Sequence, residues 1–302
     1  MKGTIIGDVV GSHYEFEPTK GLTLPLFVEG RSSFTDDTVL AIATAAKLMG
    51  MYETYAEAYK ATFHKFKNMD SNGNGSVDMG YGDRFQRWAF SDSLEPYGSL
   101  GNGSAMRVSP IAYIATSKEE LMQLAKESAE ATHDTPEAIF AAQAVALAIY
   151  RSLEGVSAED IQKEIAEDSI EVHGKRNLYT RDFSLSFLHR KYKFTALAYE
   201  SVPHAISIGL SATSFEEALR YCLYIGGDTD TIASIAGAIA EARLGIPDDM
   251  ESLVDPLERH APEYYKIMRE FYYTHVVHRL PRAPKKLSKS RMLGYYISDM
   301  IG

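Results

Sequence analysis

The chain has 302 residues and a formal net charge of −10 at pH 7, with 45% hydrophobic and 24% charged residues, as is typical of a globular protein. The acidic balance argues against a nucleic-acid backbone or an anionic membrane as the main partner, although a bound divalent cation can reverse the field locally. The single cysteine, Cys222, rules out an intrachain disulfide and a cysteine-based zinc cluster, and its apolar neighbours predict a buried thiol. No apolar stretch is long enough to span a bilayer, and the first residues lack a signal-peptide pattern, so we expect a cytoplasmic protein.

Helical periodicity dominates the sequence, and alternating strand patterns are scarce. The predicted helices span residues 38–51, 54–66, 117–132, 136–152, 157–168, 201–213, 214–223, 229–244 and 262–277. The 136–152 segment is apolar on nearly every side, which predicts a central, buried helix. The 229–244 helix carries small residues on one face, which would allow a neighbouring helix to approach closely. We therefore expect an all-α protein with functional loops at the helix starts.

Two acidic clusters, TDDT at 35–38 and DTDT at 228–231, each precede a long apolar helical run. Neighbouring carboxylates with flanking hydroxyls offer hard oxygen ligands to a divalent cation. Helix capping is the competing explanation: it accounts for one cap acid, but not for the second acid and the further threonine in both clusters. Because 192 positions separate Asp36 from Asp228, a shared metal centre would require the intervening chain to belong to the same domain. We predict one domain over residues 1–302.

One further segment resembles a metal-binding motif, the calcium-binding loop of an EF-hand. Residues 70–78 (DSNGNGSVD) match the opening positions of an EF-hand, but Tyr81 stands where the bidentate glutamate belongs. Because the strongest ligand is missing, we interpret this segment as a glycine- and asparagine-rich loop.

Three further segments carry residues with chemical potential. The 97–107 segment has three glycines that could expose backbone N–H groups to an anion, although a plain loop explains the composition equally well. His133 precedes the apolar 136–152 helix and is either an ordinary residue of a helix start or a partner for a ligand hydroxyl. Glu15 follows a glycine-punctuated apolar stretch, and that segment alone indicates little.

Together these segments resemble the ADP-ribosylglycohydrolase family, which includes the dinitrogenase reductase-activating glycohydrolases. The resemblance runs from Gly7 to about Pro247 and rests on GDVVGSHYEF, SSFTDDTVLA, GNGSAMRVSP, THDTPEA and GGDTDTIASIAGA, in that order. It implies an all-α orthogonal helical bundle with a dinuclear metal site at helix N-termini. Two Mg²⁺ ions, or Mn²⁺ in their place, would lie at the base of an ADP-ribose cleft.

The resemblance also implies roles for individual residues. The implied metal ligands are Thr35, Asp36, Asp37, Asp228, Asp230 and Thr231. Glu15 matches the catalytic acid beside the metals and the anomeric ribose carbon, and Asp36 and Asp37 complete the implied catalytic set. The implied ADP-ribose contacts are Gly98, Ser99, Gly101, Asn102, Gly103, Met106 and His133. Leu100 departs from the family pattern, because relatives often carry an aromatic residue there.

The implied activity is metal-dependent hydrolysis of the glycosidic bond between ADP-ribose and an acceptor on a protein side chain or small molecule. Two alternatives stay open. The first is a non-catalytic ADP-ribose-binding or structural protein of the same fold, as is inferred for jellyfish lens crystallins. The second is a two-metal phosphoesterase, although such enzymes usually draw on histidines and the nine histidines here are not grouped in metal-ligand spacings. The acceptor stays open among arginine, serine, other O-linked groups and O-acetyl-ADP-ribose.

Overall fold

The computed structural model describes residues 1–17, 19–69, 79–173, 179 and 184–281. Within these ranges all secondary-structure elements are helices. They are α1 (Lys2–Ser12), α2 (Asp36–Leu48), α3 (Tyr55–Phe66), α4 (Asp83–Phe90), α5 (Gly103–Met106), α6 (Ile111–Ile114), α7 (Lys118–Glu130), α8 (Pro136–Leu153), α9 (Ala158–His173), α10 (Leu185–Lys191), α11 (Ala198–Ser211), α12 (Phe215–Ile225), α13 (Thr229–Leu244), α14 (Asp255–His260) and α15 (Pro262–Phe271). A 3₁₀ segment, Asp248–Val254, precedes α14, and a π-helical turn, Tyr272–Val276, follows α15. The all-α expectation is confirmed.

Side-chain caps begin several helices where the sequence predicts them. Thr54 and Glu57 form a capping box at α3, in which each side chain accepts a hydrogen bond from the other residue's backbone N–H, at 3.1 and 3.0 Å. The hydroxyls of Ser117 and Ser214 cap α7 and α12, where each accepts a hydrogen bond from the backbone N–H three residues further on. Because a cap satisfies N–H groups that the helix itself leaves unpaired, these boundaries are readable from local sequence.

Helix α8 is buried along most of its length and contacts α7, α9, α11 and α13, as its apolar surface predicts. Cys222 lies on α12 and is fully buried, and this burial raises the pKa of its thiol. The thiol therefore belongs to the core, as expected. Within the described ranges, no helix combines the length and the apolarity needed to cross a bilayer.

Helix α1 is absent from the sequence prediction, because three glycines within eleven residues lower its helix propensity. These glycines are spaced one turn apart and lie against α13. A Cβ atom on Gly7 would stand 2.0 Å from the carbonyl oxygen of Ala233, and one on Gly11 would stand 2.4 Å from that of Thr229. The backbones therefore touch, and the close approach predicted for the small residues of α13 has α1 as its partner.

The direction of this contact sets up the site. Gly3 faces Gly237 and Gly11 faces Thr229, so α1 and α13 run antiparallel. The end of α1 therefore meets the start of α13, where the second acidic cluster lies. The segment 70–78, compared above with an EF-hand, falls outside the described residues.

Candidate active site

Asp8, on α1, organises the first acidic cluster. Its fully buried carboxylate accepts hydrogen bonds from the backbone N–H groups of Thr35 and Thr38, at 2.8 and 3.0 Å, and from the hydroxyls of the same two threonines. Burial, with the nearby charge of Asp230, raises the pKa of Asp8 to about 7, although the hydrogen bonds from Thr35 and Thr38 act in the opposite direction. Asp8 thus ties α1 to the first turn of α2. This role of Asp8 was not predicted from the sequence, because no feature of the sequence around Gly7 indicates that Thr35, 27 residues away, is its partner.

Both threonines of this cluster therefore stabilise the start of α2 through hydrogen bonds to Asp8. Thr35 is the N-cap of α2: its hydroxyl donates to Asp8 and accepts from the N–H of Asp37 at 3.3 Å. Thr38 also donates to Asp8, so its presence after the acids does have a structural explanation, contrary to the sequence argument. Thr35 does not line the cleft described below, although one lone pair of its hydroxyl stays available to a cation.

The two acidic clusters meet at one place. The hydroxyl of Thr231 donates to Asp37 Oδ2 at 3.1 Å, which joins the start of α13 to the start of α2. Glu15, Asp228 and Asp230 each offer one carboxylate oxygen, and these three oxygens lie within 4.8 Å of one another. Asn102 donates to Asp228 Oδ2 at 2.6 Å and orients that carboxylate.

Burial and mutual repulsion oppose the ionisation of these carboxyl groups. Burial raises the pKa of Glu15 to about 10, with the charges of Asp230, Asp228, Asp36 and Asp8 adding to the effect. The pKa values of Asp37 and Asp230 are also well above the ordinary range, for the same reasons. Asp37 Oδ1 is buried and accepts no hydrogen bond from the described residues. Such a group of acids is costly unless cations offset the charge.

The glycine-rich loop lies on another side of the same space. Gly98 has φ of +62°, a left-handed conformation that favours glycine. The Ser99 hydroxyl accepts from the N–H of Gly101 at 3.2 Å, and the N–H of Asn102 donates to Ala196 O at 2.8 Å. The N–H groups of Tyr97 and Ser99 point to Thr132 O. Several donors are therefore already used, and the loop offers fewer to an anion than its glycine content suggests.

His133 is buried, and its ring lies against Gly101 and Gly103 of the loop. A Cβ atom on Gly103 would lie 3.3 Å from its Nε2 and Cε1 atoms, so glycine at this position leaves room beside the ring. Burial, together with the positive charges of Arg107 and Arg84, holds the pKa of His133 well below its usual value. The imidazole is therefore neutral at physiological pH.

A cleft of about 430 Å³ connects these features. Of the predicted site residues it is lined by Glu15, Asp36, Asp37, Ser99, Gly101, Asn102, Gly103, Met106, His133, Asp228, Asp230 and Thr231. Thr35 and Gly98 support it without lining it. The acids, the glycine loop and His133 therefore line one continuous space.

Several lining residues were not predicted from sequence. Arg84 donates to the carbonyl oxygens of Tyr97 and Gly98, and its guanidinium lies 5.2 Å from the centre of the Tyr97 ring. Phe16 and Phe194 stand side by side with ring centres 5.9 Å apart, and both are largely exposed. Arg84 and Phe194 lie outside the recognisable motifs, so only the fold brings them to the cleft.

Comparison with known proteins agrees with this architecture. The family model for ADP-ribosylglycohydrolase matches residues 1–282. The chain belongs to the ADP-ribosylglycohydrolase family. A solved structure described as an ADP-ribosylglycohydrolase-related protein complex has the same fold, with a TM-score of 0.60 and 22% identity over 86% of this chain and 95% of that one.

Curated relatives extend the family assignment. ADP-ribosylhydrolase ARH3 of Homo sapiens is 29% identical, with 83% of this chain and 86% of the human protein covered. ADP-ribosylarginine hydrolase Tri1 of Pseudomonas putida is 24% identical, with 82% of this chain and 70% of that protein covered. An uncharacterized protein of Archaeoglobus fulgidus is 27% identical and matches 88% of this chain and 94% of its own length. The family resemblance seen in the sequence motifs is therefore confirmed.

Proposed function

We propose that this member of the ADP-ribosylglycohydrolase family is a metal-dependent hydrolase that cleaves the bond between ADP-ribose and an acceptor on a protein side chain or small molecule. The observation that carries the proposal is the convergence of Glu15, Asp37, Asp228 and Asp230 in a cleft shared with the glycine loop. The names of the human and Pseudomonas relatives, both hydrolases of ADP-ribose linkages, support it.

The donor set fits divalent cations. Carboxylates and hydroxyls are the hard oxygen ligands that Mg²⁺ and Mn²⁺ take. Asp37 Oδ1, which is buried and accepts no hydrogen bond from the described residues, is suited to bind such a cation. The residues that would hold two ions are Thr35, Asp36, Asp37, Asp228, Asp230 and Thr231. Bound there, the ions would supply counter-charge and Lewis acidity toward the ribose.

The chain's own residues would divide the remaining work. Glu15, which is less buried than Asp228 and Asp230 and lies among them, would transfer a proton at the acceptor atom of the scissile bond or take one from the attacking water. Asp36 and Asp37, which line the cleft with Glu15, would complete the set of catalytic carboxylates. Asn102 would keep the carboxylate of Asp228 turned toward the cleft through its 2.6 Å hydrogen bond.

The diphosphate and its ribose would lie along the glycine loop. Ser99, Gly101 and Gly103 line this wall with Met106 beside them, and Gly98 provides the turn that exposes it. The Arg84 guanidinium at the same wall would help an otherwise acidic protein hold an anion.

The direct test is release of ADP-ribose from defined substrates: arginine-linked and serine-linked peptides and O-acetyl-ADP-ribose, each with Mg²⁺, Mn²⁺ or a chelator. At least one substrate should be cleaved, and the chelator should stop cleavage. Asp36→Asn and Asp228→Asn should each lower turnover by about a thousandfold or more, because each removes an anionic ligand. Glu15→Gln should lower turnover comparably while metal binding persists.

Exposed acids give matched controls: Asp248→Asn and Glu29→Gln change the same chemical groups outside the cleft and should leave turnover unaltered. Full activity of the Asp228→Asn protein would remove the basis of the proposal. ADP-ribose binding by calorimetry without release from any substrate would favour the non-catalytic alternative, and release of inorganic phosphate would favour a phosphoesterase.

A further inference from the structure

Arg107 is a buried cation that the proposed reaction does not use. It is fully buried between α5 and α6, with its guanidinium 4.0 Å from the centre of the Tyr59 ring. Among the described residues it forms no ion pair with a carboxylate, and its Nε and Nη1 groups have no hydrogen-bond partner. Burying a charge with so little compensation is unfavourable, so stability alone is a poor explanation for this residue.

Arg107 itself lines the cleft, and its one engaged polar group, Nη2, is bonded beside His133. Its Nη2 atom donates to Ser128 O at 2.8 Å and to the hydroxyl oxygen of Thr132 at 2.7 Å. That hydroxyl oxygen lies 2.6 Å from Nδ1 of His133. A buried chain therefore runs from Arg107 through Thr132 to the imidazole that lines the cleft.

The donor capacities of these groups fix the direction of the chain. A guanidinium only donates, so the Thr132 oxygen accepts from Arg107. A hydroxyl carries one hydrogen, and no acceptor for it other than His133 Nδ1 is present among the described residues. The adjacent positive charge also makes this hydroxyl a stronger donor and a weaker acceptor. Thr132 therefore donates to Nδ1, and a neutral ring must carry its own hydrogen on Nε2.

The Nε2 atom faces the ligand space. It lies beside Gly101 and Gly103, where a Cβ atom would stand 3.6 and 3.3 Å away, and the ring lines the cleft. No described residue accepts a hydrogen bond from Nε2. A hydrogen at this position would find its acceptor on a bound ligand.

We propose that Arg107 and Thr132 are positioning residues that hold His133 as the neutral tautomer with hydrogen on Nε2, so that it donates to a ligand oxygen in the cleft. The inference rests on the proposed function only for the ligand, which is a ribose hydroxyl or phosphate oxygen of ADP-ribose. His133 is then a fixed donor and not a general base, which leaves proton transfer to the carboxylates.

The tautomer can be measured without substrate. Long-range ¹H–¹⁵N correlation spectra of the whole protein, labelled with ¹⁵N-histidine, distinguish a protonated from an unprotonated ring nitrogen. Comparison with a His133→Gln variant identifies the His133 signals. We expect a protonated Nε2 and an unprotonated Nδ1 at neutral pH in the wild type. A protonated Nδ1 would overturn the proposal, whatever the protein hydrolyses.

Substitution at Thr132 provides the second arm. Thr132→Val keeps the side-chain shape but removes the hydroxyl, so the ring loses the hydrogen bond that fixes its tautomer and orientation, and the calorimetric affinity for ADP-ribose with Mg²⁺ should fall about tenfold. Thr132→Ser restores the hydroxyl and should behave like the wild type. Unchanged affinity of a folded Thr132→Val protein would contradict the proposal. If that variant does not fold, the wild-type spectrum and Thr132→Ser decide the question. Failure of the wild type to bind ADP-ribose would count instead against the proposed function.

Discussion

At the scale of single residues, the motifs identify the acids of the site but not what supports them. Asp36, Asp37, Asp228 and Asp230 stand out because two carboxylates together at a helix start exceed what capping needs. Asp8 does not stand out, because a lone acid after an apolar stretch has no visible partner in the sequence. Only the packing of α1 reveals that it accepts four hydrogen bonds from the start of α2.

Replacement of Asp8 tests this organising role. In Asp8→Asn the amide presents an NH₂ group to donors that need an acceptor, so we expect the free energy of unfolding to fall by about 3 kcal/mol. Urea denaturation, with Asp248→Asn as the exposed control, measures the difference. An unfolding midpoint equal to that of the control would show that the four hydrogen bonds contribute little to stability.

At the scale of helices, the sequence predicts those that have side-chain caps and amphipathic or fully apolar patterns, such as α3, α7, α8 and α12. It also predicts α13, which no side chain caps, from its apolar run and the Gly245 that ends it. Helix α1 could not be predicted, because its glycines look like loop residues until the partner helix is known. The short helix α5 lies inside a segment interpreted as a loop, since four residues give too little periodicity to recognise. Helix α11 begins at Ala198, earlier than predicted, and carries Pro203 inside.

The contact between α1 and α13 gives a prediction at this scale. Gly7→Ala would force a methyl group to within 2.0 Å of Ala233 O, so the helices must separate. We expect a loss of about 3 kcal/mol or more in stability, and reduced metal affinity because α1, through Asp8, holds the start of α2 beside that of α13. Thermal and urea unfolding measure the loss. Gly21→Ala, whose nearest contact is an ordinary 3.6 Å, is the matched control and should unfold like the wild type.

At the scale of the whole molecule, the acidic cluster links stability to pH and to divalent cations. Burial raises the pKa of Asp8 from 3.8 to about 7 and that of Glu15 from 4.5 to about 10, so the metal-free native state retains protons that the unfolded chain loses. The protonated carboxyl groups therefore contribute to the free energy of unfolding. This stabilisation is fully present below about pH 4 and is lost as the pH rises toward 7 and beyond. That the chain forms one domain and resides in the cytoplasm stays a prediction.

The expected consequence is that Mg²⁺ raises the melting temperature more at pH 8 than at pH 5. At the higher pH the cation relieves repulsion among ionised carboxylates, whereas at the lower pH it must displace protons. Differential scanning fluorimetry at both pH values measures the shift, and the Asp228→Asn protein should show a smaller one. An equal shift at both pH values would indicate binding outside this cluster.

Anomalous diffraction from a crystal grown with Mn²⁺ tests most directly whether the beginnings of α2 and α13 bind cations together. We predict two manganese peaks, coordinated by carboxylate oxygens of Asp36 and Asp37 from one side and of Asp228 and Asp230 from the other. A well-occupied crystal with no manganese between these carboxylates, or with manganese bound to only one of the two clusters, would contradict the account.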